Sequence, residues 1–343
     1  MIYPVIISSA LLAGISFYLQ ASMPALPEDA DPIIDEVLTN ELPEVVSGRT
    51  GYAVSNGLKI WYECISPEAP LKGTVLLLMG IGADAFIWPK PFIQALVRSG
   101  YQVIRYDHRG TGMSDRVEDW SFKNPYSLKE MADDAVAVLD SLKVREAFVV
   151  GFSMGGMIAQ EMTIHHPARV SSLTLMMTSG NIRDAALPGP TPGYFLQHFV
   201  KSIHLLKYRI GGREKNLIKE YIVKQIAEAG GSGIDIKAAA EECLYCLRNR
   251  KSNSLKAGLL QHLAAIRASG SRCEKLTSLN IPTLIVHGTD DQLIPIAHGK
   301  KLAETIPNAK SLWLEGVGHI FPVPDMDVLL EKMLIHFQHW RER

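Results

Sequence analysis

Apolar side chains recur along the chain in two spacings, one typical of buried strands and one typical of amphipathic helices. Short apolar runs predict strands at residues 74–79, 102–106, 148–150, 173–177, 283–288 and 311–314. Helical spacing predicts helices over residues 92–99, 127–142, 214–229, 237–248 and 325–340. Ser127, followed three residues later by Glu130, is a helix-start signal. Residues 51–54 and 58–64, joined by Ser55-Asn56-Gly57, predict a β-hairpin.

The order of these elements predicts the fold class and the domain boundaries. Alternating strands and helices indicate an α/β architecture with a mainly parallel sheet and helices on both faces, formed by residues 49–180 and 271–343. Residues 181–270 have no buried-strand pattern and contain several helical stretches instead. We expect this region to be a helical cap inserted into the sheet domain.

The first 48 residues do not follow this rhythm. Residues 1–20 are mainly apolar and have no charged side chain, which favours an export signal or a membrane anchor over a buried helix. An exported or membrane-anchored protein is therefore expected. Residues 21–48 hold seven acidic residues, no basic residue and four prolines, a composition that predicts an extended linker.

Composition and charge narrow the classes of partner. The 343 residues are 47% hydrophobic and 21% charged, as in ordinary globular proteins, and the net charge of −1 gives no reason to expect nucleic acid. Residues 181–270 nevertheless hold fourteen Lys and Arg against seven Asp and Glu. This basic cap is interpreted either as solvated helix faces or as a contact with an anionic surface such as lipid. Of the four cysteines, Cys243 and Cys246 form one C-x-x-C, which is interpreted as a helix face rather than a zinc site.

The candidate chemistry begins at Gly151-Phe152-Ser153-Met154-Gly155, between the apolar run at 148–150 and a stretch of helix formers. A strand, a sharp turn and a helix would hold the Ser153 hydroxyl clear of the sheet, and such a turn leaves no room for side chains at Gly151 and Gly155. The N–H of Met154 would then open the helix, where unpaired donors and the helix dipole favour a developing oxyanion. The alternative is a serine in an ordinary glycine turn.

A nucleophilic serine needs a base and an acid, and in a parallel sheet these should follow later strands at the same edge. His319 comes after the strand at 311–314 and a glycine turn, so it is the candidate base. The other histidines lack such a setting, and His287 is expected to pack at the end of its strand. Asp290 and Asp291 both follow the strand at 283–288, and either could be the acid or a turn-capping residue.

With these residues in place, residues 50–343 resemble the α/β-hydrolase superfamily. The resemblance implies Asp291 as the acid, because Gly288-Thr289-Asp290-Asp291-Gln292-Leu293-Ile294-Pro295 matches the family's Gly-x-x-Asp-x-x-x-Pro. It also implies a second oxyanion donor after the strand at 74–79, namely the N–H of Ile81. Many members have His-Gly where this chain has Met79-Gly80, so imidazole support of that loop is expected to be absent. Met79-Gly80 and residues 105–114 resemble the branch of polyketide methyl esterases, and Asp107 and Arg109 are expected to brace their turn.

We therefore expect a serine hydrolase that cleaves a small-molecule carboxylic ester or a lipid ester through an acyl-enzyme, with Ser153, His319 and Asp291 as the catalytic triad. No metal or organic cofactor is implied. Thioesterase, amidase, acyltransferase and carbon–carbon hydrolase chemistry use the same triad. A membrane-associated lipase is a further alternative, suggested by the apolar start and the basic cap. A non-catalytic ligand receptor on this scaffold would have no need of all three triad residues.

Overall fold

The computed structural model describes residues 26–43, 45–191, 194, 213–250 and 255–341. Its strands are β1 (Arg49–Ser55), β2 (Leu58–Ile65), β3 (Gly73–Leu78), β4 (Tyr101–Tyr106), β5 (Ala147–Phe152), β6 (Val170–Met176), β7 (Thr283–Gly288) and β8 (Lys310–Leu314). Its helices are α1 (Ala30–Thr39), α2 (Lys90–Arg98), α3 (Leu128–Ser141), α4 (Met154–His165), α5 (Glu214–Glu228), α6 (Ile236–Asn249), α7 (Leu255–Ser269), α8 (Cys273–Leu276), α9 (Ala297–Thr305) and α10 (Met326–Arg341).

The described strands form one sheet in the order β1-β2-β4-β3-β5-β6-β7-β8. β1 pairs antiparallel with β2, and β2 pairs antiparallel with β4. All other neighbours in the sheet are parallel, so the carboxyl ends of β3, β5, β6, β7 and β8 meet at one edge. The predicted α/β class, with a mainly parallel sheet, is confirmed.

Helices cover both faces of the sheet, as predicted. Alternate residues of β3 show why its sequence is apolar without interruption: Leu76 and Leu78 pack with α3 and α4, whereas Val75 and Leu77 pack with α2 and α10. All four side chains are fully buried. A strand covered on two faces needs apolar side chains at every position, which is the pattern that identified it.

Local signals set several element boundaries. Asn56 and Gly57 both have positive φ, 48° and 80°, which is the backbone of a tight two-residue hairpin turn between β1 and β2. At the start of α3, the Ser127 hydroxyl accepts from the Glu130 N–H while the Glu130 carboxylate accepts from the Ser127 N–H. The predicted hairpin and the predicted capping box are therefore both present.

The region predicted to be the cap contains α5, α6 and α7, with no strand among its described residues. Apolar side chains of α5 and α6 form a small core of their own, separate from the two cores against the sheet, around Ile218, Ile222, Ala240 and Leu244. Cys243 and Cys246 both lie on α6, one turn apart. Because these helices bury apolar side chains against one another, they can pack together without adding a strand to the sheet.

The prediction of an extended linker over 21–48 is wrong for residues 30–39, which form α1. Two side chains of this helix, Ile34 and Val37, are buried in the core shared by α5 and α6. They stand three positions apart, so they lie on one face of the helix. The acidic composition concealed this face because the apolar partner belongs to another part of the chain.

The charges of α1 are matched by lysines of the cap. The ion pairs are Lys215–Asp35 at 2.5 Å, Lys237–Glu36 at 2.6 Å, and Lys219–Asp31. Exposed pairs of this kind each contribute at most about 1 kcal/mol, so burial of Ile34 and Val37 is the larger stabilising effect. Part of the positive charge of the cap is thus neutralised within the chain.

The predicted signal or anchor at residues 1–20 lies outside the described residues. Within the described ranges, none of the helices combines the length and the apolar character that crossing a membrane requires.

Candidate active site

Ser153 occupies a tight turn between β5 and α4. Its φ of 54° and ψ of −119° lie in a region that residues other than glycine rarely adopt, so the backbone is strained here. A side chain at Gly151 would meet the carbonyl of Gly155, and one at Gly155 would meet the carbonyl of Leu78. The two glycines are therefore a steric requirement of the turn.

Two neighbouring groups hold this turn in place. The N–H of Ser153 donates to the carbonyl of Met176 at 2.9 Å. The hydroxyl of Thr178 donates to the carbonyl of Ser153 at 2.7 Å. Met176 ends β6 and Thr178 follows it, so the neighbouring strand fixes the backbone on both sides of the serine side chain.

His319, in the loop after β8, reaches the same edge of the sheet. Its Nε2 lies 2.9 Å from Ser153 Oγ, and its ring packs beside that of Phe152 with centroids 5.4 Å apart. Ser153 is 6% exposed and His319 is 8% exposed, so the pair is largely shielded from water. The separation allows the serine hydroxyl to donate to the imidazole.

The loop after β7 brings Asp291, and not Asp290, to this imidazole. Asp291 Oδ2 lies 2.7 Å from Nδ1 of His319. Its other oxygen, Oδ1, accepts the N–H groups of Leu293 at 3.0 Å and Ile294 at 2.8 Å. The Asp290 side chain is exposed instead. Asp291 therefore both caps its turn and contacts the histidine.

The electrostatics of this pair favour opposite charges. Burial would raise the pKa of Asp291, but the adjacent His319 and His287 outweigh it and hold the pKa well below its ordinary value. Burial would lower the pKa of His319, but the Asp291 carboxylate outweighs it and raises the pKa. An ionised acceptor at Oδ2 places the ring proton of His319 on Nδ1, which leaves the Nε2 lone pair for Ser153.

His287 is a neighbour of this site that the sequence did not reveal. It lies one residue before the end of β7, where it was expected to pack, and it is fully buried. Its Nε2 lies 2.7 Å from the carbonyl of Ile294 and 3.4 Å from Asp291 Oδ2. His287 thus ties down the turn that carries Asp291, and the only signal for this was its position at a strand end.

The two N–H groups predicted to bind an oxyanion belong to Met154, directly after Ser153, and to Ile81, in the loop after β3. Met154 is the first residue of α4, so its N–H has no acceptor within the helix. Ile81 follows Gly80 in the loop after β3, and a side-chain carbon on Gly80 would lie 3.4 Å from Cβ of Ser153. The loop therefore passes the serine at van der Waals distance.

Imidazole support of the loop after β3 was expected to be absent, and this expectation is wrong. Nε2 of His108 lies 2.8 Å from the carbonyl of Met79, and Nδ1 of His262 lies 3.1 Å from the N–H of Gly82. These contacts stand on the two sides of Gly80 and Ile81. His108 comes from the loop after β4 and His262 from α7, so the support comes from distant parts of the chain.

The hydrogen bonds fix the protonation of these two imidazoles. His262 accepts from Gly82 at Nδ1, so its proton is on Nε2, which donates to the carbonyl of Arg109 at 2.9 Å. His108 faces a carbonyl with Nε2, so it too carries its proton there. Burial lowers the pKa of His108 to about 3 and that of His262 to about 4, so both rings are neutral near pH 7.

The cap also contacts the loop that carries His319. The N–H of Gly318 donates to the carbonyl of Ala229 at 3.0 Å, and the N–H of Gly231 donates to the carbonyl of Gly316 at 2.8 Å. Ala229 directly follows α5, and Gly231 comes two residues later. The end of a cap helix is therefore joined to the histidine loop by backbone hydrogen bonds, which fix the loop one residue before His319.

Buried charges brace the loop after β4, as expected for Asp107 and Arg109. Arg109 forms a two-point ion pair with Asp134, at 2.6 Å and 2.7 Å. The carboxylate of Asp107 accepts backbone N–H groups from two loops and contacts Arg250, which follows α6. Arg250 also lies 3.0 Å from Asp84. Burial outweighs Arg250 and raises the pKa of Asp107 to about 7.

The fold and the site together define a class of protein. A mainly parallel sheet, a strained serine between β5 and α4, and an Asp–His pair from two later strand ends, in the order Ser, Asp, His, form the layout of an α/β hydrolase. The family model for the alpha/beta hydrolase fold matches residues 73–324. The chain belongs to the alpha/beta hydrolase fold family.

Comparison with known proteins agrees with this assignment. Rhodomycin D methylesterase of Streptomyces sp. (strain C5) is 30% identical over 290 residues, which cover 81% of this chain and 94% of the relative. Rhodomycin D methylesterase of Streptomyces peucetius is 30% identical over 300 residues, which cover 84% of this chain and 97% of the relative. The resemblance to the polyketide methyl esterase branch is thereby confirmed.

Among solved structures, a bacterial membrane phospholipase A is similar with a TM-score of 0.64 and 19% identity, over 99% of this chain and 98% of that one. At this identity the likeness concerns the fold alone.

Proposed function

We propose that this protein hydrolyses a carboxylic ester through an acyl-enzyme, with Ser153 as nucleophile, His319 as general base and acid, and Asp291 as the group that orients His319. The observation that supports this proposal most directly is the continuous hydrogen-bond path from Ser153 Oγ to His319 Nε2 and from His319 Nδ1 to Asp291 Oδ2, at 2.9 Å and 2.7 Å. Each side chain has a hydrogen-bond partner suited to its role.

In the first half of the reaction, Ser153 Oγ attacks the ester carbonyl carbon while its proton moves to His319 Nε2. The tetrahedral intermediate collapses, and the alcohol leaves with that proton. In the second half, His319 takes a proton from water, and the hydroxide formed attacks the acyl-enzyme. The acid is released and Ser153 regains its proton. The net reaction is ester plus water giving acid plus alcohol.

The negative charge on the carbonyl oxygen is stabilised, in this proposal, by the N–H groups of Ile81 and Met154. Loss of one such donor in a comparable site costs about 10²–10³-fold in kcat. The placement of His108 and His262 supports this role for the loop, because they hold Met79 and Gly82, the residues that flank Gly80 and Ile81.

A carboxylic methyl ester is the first substrate class to test, because two relatives at 30% identity are methylesterases. Methyl and p-nitrophenyl esters of acids of rising length would locate the preferred acyl size. A matched thioester tests thioesterase chemistry. Added alcohol tests acyl transfer, because a transferase would form a new ester in place of free acid.

The nucleophile is tested by labelling with a fluorophosphonate probe. We expect wild type to be labelled and Ser153→Ala to be unlabelled and inactive on p-nitrophenyl acetate. Ser66→Ala, at an exposed serine after β2, is the control and should be labelled like wild type. Equal labelling of Ser153→Ala would refute the assignment. Ligand binding without labelling or turnover by wild type would instead indicate a receptor.

A further inference from the structure

A partly open cavity lies between the core and the cap. This cavity of about 120 Å³ is bounded on the core side by the loop after β3 and by residues 110–112, and on the cap side by α5 and α6. Most of its wall is apolar, from side chains such as Ile87, Cys243 and Leu247. Four polar side chains also line it: Asp84, Thr111, Tyr221 of α5 and Glu242 of α6. Asp84 is paired with Arg250, and the Thr111 hydroxyl donates to the carbonyl of His108.

Glu242 and Tyr221 form a hydrogen-bonded pair at the cavity wall. The Tyr221 hydroxyl donates to Oε1 of Glu242 at 2.5 Å, and Nε2 of Gln225 donates to the Tyr221 oxygen at 2.6 Å. One oxygen of the Glu242 carboxyl is therefore occupied. Among the residues that the structure describes, no hydrogen-bond partner meets its other oxygen, Oε2.

Burial favours the protonated form of the Glu242 carboxyl near neutral pH. Burial raises its pKa to about 8; the hydrogen bond from Tyr221 and the distant Arg105 act against burial, and Asp84 acts with it. With Oε1 accepting from Tyr221, the proton resides on Oε2. The cavity wall thus presents an O–H donor, next to a carboxyl oxygen that can accept, in apolar surroundings.

An unpaired polar group in a largely apolar cavity wall is costly unless a ligand or a water molecule satisfies it. The cavity is slightly smaller than an engineered apolar cavity of about 150 Å³ that accommodates benzene. Its size therefore suits a single six-membered ring. A hydroxyl on such a ring could both accept from Oε2 and donate to a carboxyl oxygen.

The position of the cavity connects it to the proposed chemistry. Gly82 and Ala83, which line it, directly follow Ile81, the proposed oxyanion donor. Gly82 is two residues from Gly80, which touches Ser153, so Gly82 lies within about 8 Å of Gly80 along the backbone. An ester bound at Ser153 would need a linker of only a few bonds to reach the cavity.

We propose that this cavity is a substrate subsite for a ring-sized apolar group that carries one hydroxyl, and that Glu242, held by Tyr221, binds that hydroxyl. The inference rests on the proposed ester hydrolysis and assigns the far end of the substrate. The ester is then one whose acyl or alcohol part carries a monohydroxylated ring a few bonds from the scissile carbonyl.

The test compares pairs of esters that differ by one hydroxyl. Methyl 3-phenylpropanoate and its ring-monohydroxylated forms probe the acyl side, and benzyl acetate and the hydroxybenzyl acetates probe the alcohol side. The ratio of kcat/KM, hydroxylated over parent, is measured for wild type, Glu242→Leu and Glu242→Gln. Glu241→Leu, on the same helix and outside the cavity wall, is the control. Turnover of p-nitrophenyl acetate reports the basal chemistry.

We expect wild type to prefer the hydroxylated ester in at least one pair by about tenfold or more. Glu242→Leu should bring that ratio near one without loss of p-nitrophenyl acetate turnover. Glu242→Gln should keep the preference, because its amide can donate where the protonated acid donates, and Glu241→Leu should resemble wild type.

The proposed subsite is refuted if wild type hydrolyses both esters of every pair with the same kcat/KM. It is also refuted if Glu242→Leu keeps the preference for the hydroxylated ester, or if a folded Glu242→Gln loses it. Failure of wild type to turn over p-nitrophenyl acetate would instead reject the proposed ester hydrolysis itself.

Discussion

Replacing Asp291 by asparagine changes one oxygen to an amide nitrogen, and the structure dictates which one. Oδ1 accepts two backbone N–H groups, from Leu293 and Ile294. An amide NH₂ at that position would face two donors, so the amide oxygen must take it. The NH₂ group then lies at the Oδ2 position, 2.7 Å from Nδ1 of His319.

A donor at that position reverses the tautomer of His319. Nδ1 must now accept, so the ring proton moves to Nε2 and points at Ser153 Oγ. The imidazole can then no longer remove the serine proton. In serine proteases the equivalent change lowers kcat about 10⁴-fold, which is about 5 kcal/mol of transition-state stabilisation. We expect a fall of the same order here, with little change in KM.

The assay is steady-state hydrolysis of p-nitrophenyl acetate, together with the melting temperature of each variant. Asp290→Asn is the matched control, because it makes the same chemical change one residue away on an exposed side chain and should retain wild-type kcat. If Asp291→Asn kept kcat within about tenfold of wild type, or if Asp290→Asn were the slower variant, the orienting role of Asp291 would be rejected.

Three further outcomes follow from buried contacts and from the pKa of the base. In urea unfolding at pH 8, Arg250→Met should lower the free energy of unfolding by about 3–5 kcal/mol, because it leaves two buried carboxylates without their cation. Arg248→Met, at an exposed ion pair, is the control and should lower it by less than about 1 kcal/mol. Ile34→Ala should destabilise by about 2–4 kcal/mol and Ile33→Ala, at a half-buried position, by less; equal effects would argue against the packing of α1. The plot of kcat/KM against pH should fall on the acid side through a pKa above 6.5, since His319 must be neutral to act and Asp291 raises its pKa; a limb at or below 6.5 would contradict this.

The sheet and the residues at its edge were predictable because their signals are local. A strand covered on both faces must be apolar throughout, as in β3, and the turn after β5 must have glycines where the backbone leaves no space. Ser153, Asp291 and His319 each follow a strand, and strand ends of a parallel sheet meet at one edge. The separation of Asp291 from Asp290, however, needed the family resemblance, because both residues suit a turn.

Apart from those of His287, the contacts that the sequence did not predict join distant segments. His262 accepts a hydrogen bond from the N–H of Gly82, which lies 180 positions away in the chain, and nothing around His262 on α7 indicates this partner. The α1 helix had a signal in Ile34 and Val37, but seven acidic residues in the same stretch outweighed it, because their matching lysines lie in the cap. Composition describes a segment in isolation, whereas the burial of its side chains depends on the segments that pack against it.

The docking of α1 has a consequence for how the cap behaves as a unit. Ile34 and Val37 complete a core whose other buried members, among them Ile218, Ile222 and Leu244, belong to α5 and α6. A chain cleaved between α1 and β1 could lose that helix while keeping the whole sheet, the serine turn and the histidine loop. It would then expose the apolar face of α5 and α6 that α1 had covered. Proteolysis before β1 would therefore favour self-association of the protein while leaving the proposed ester hydrolysis unaffected.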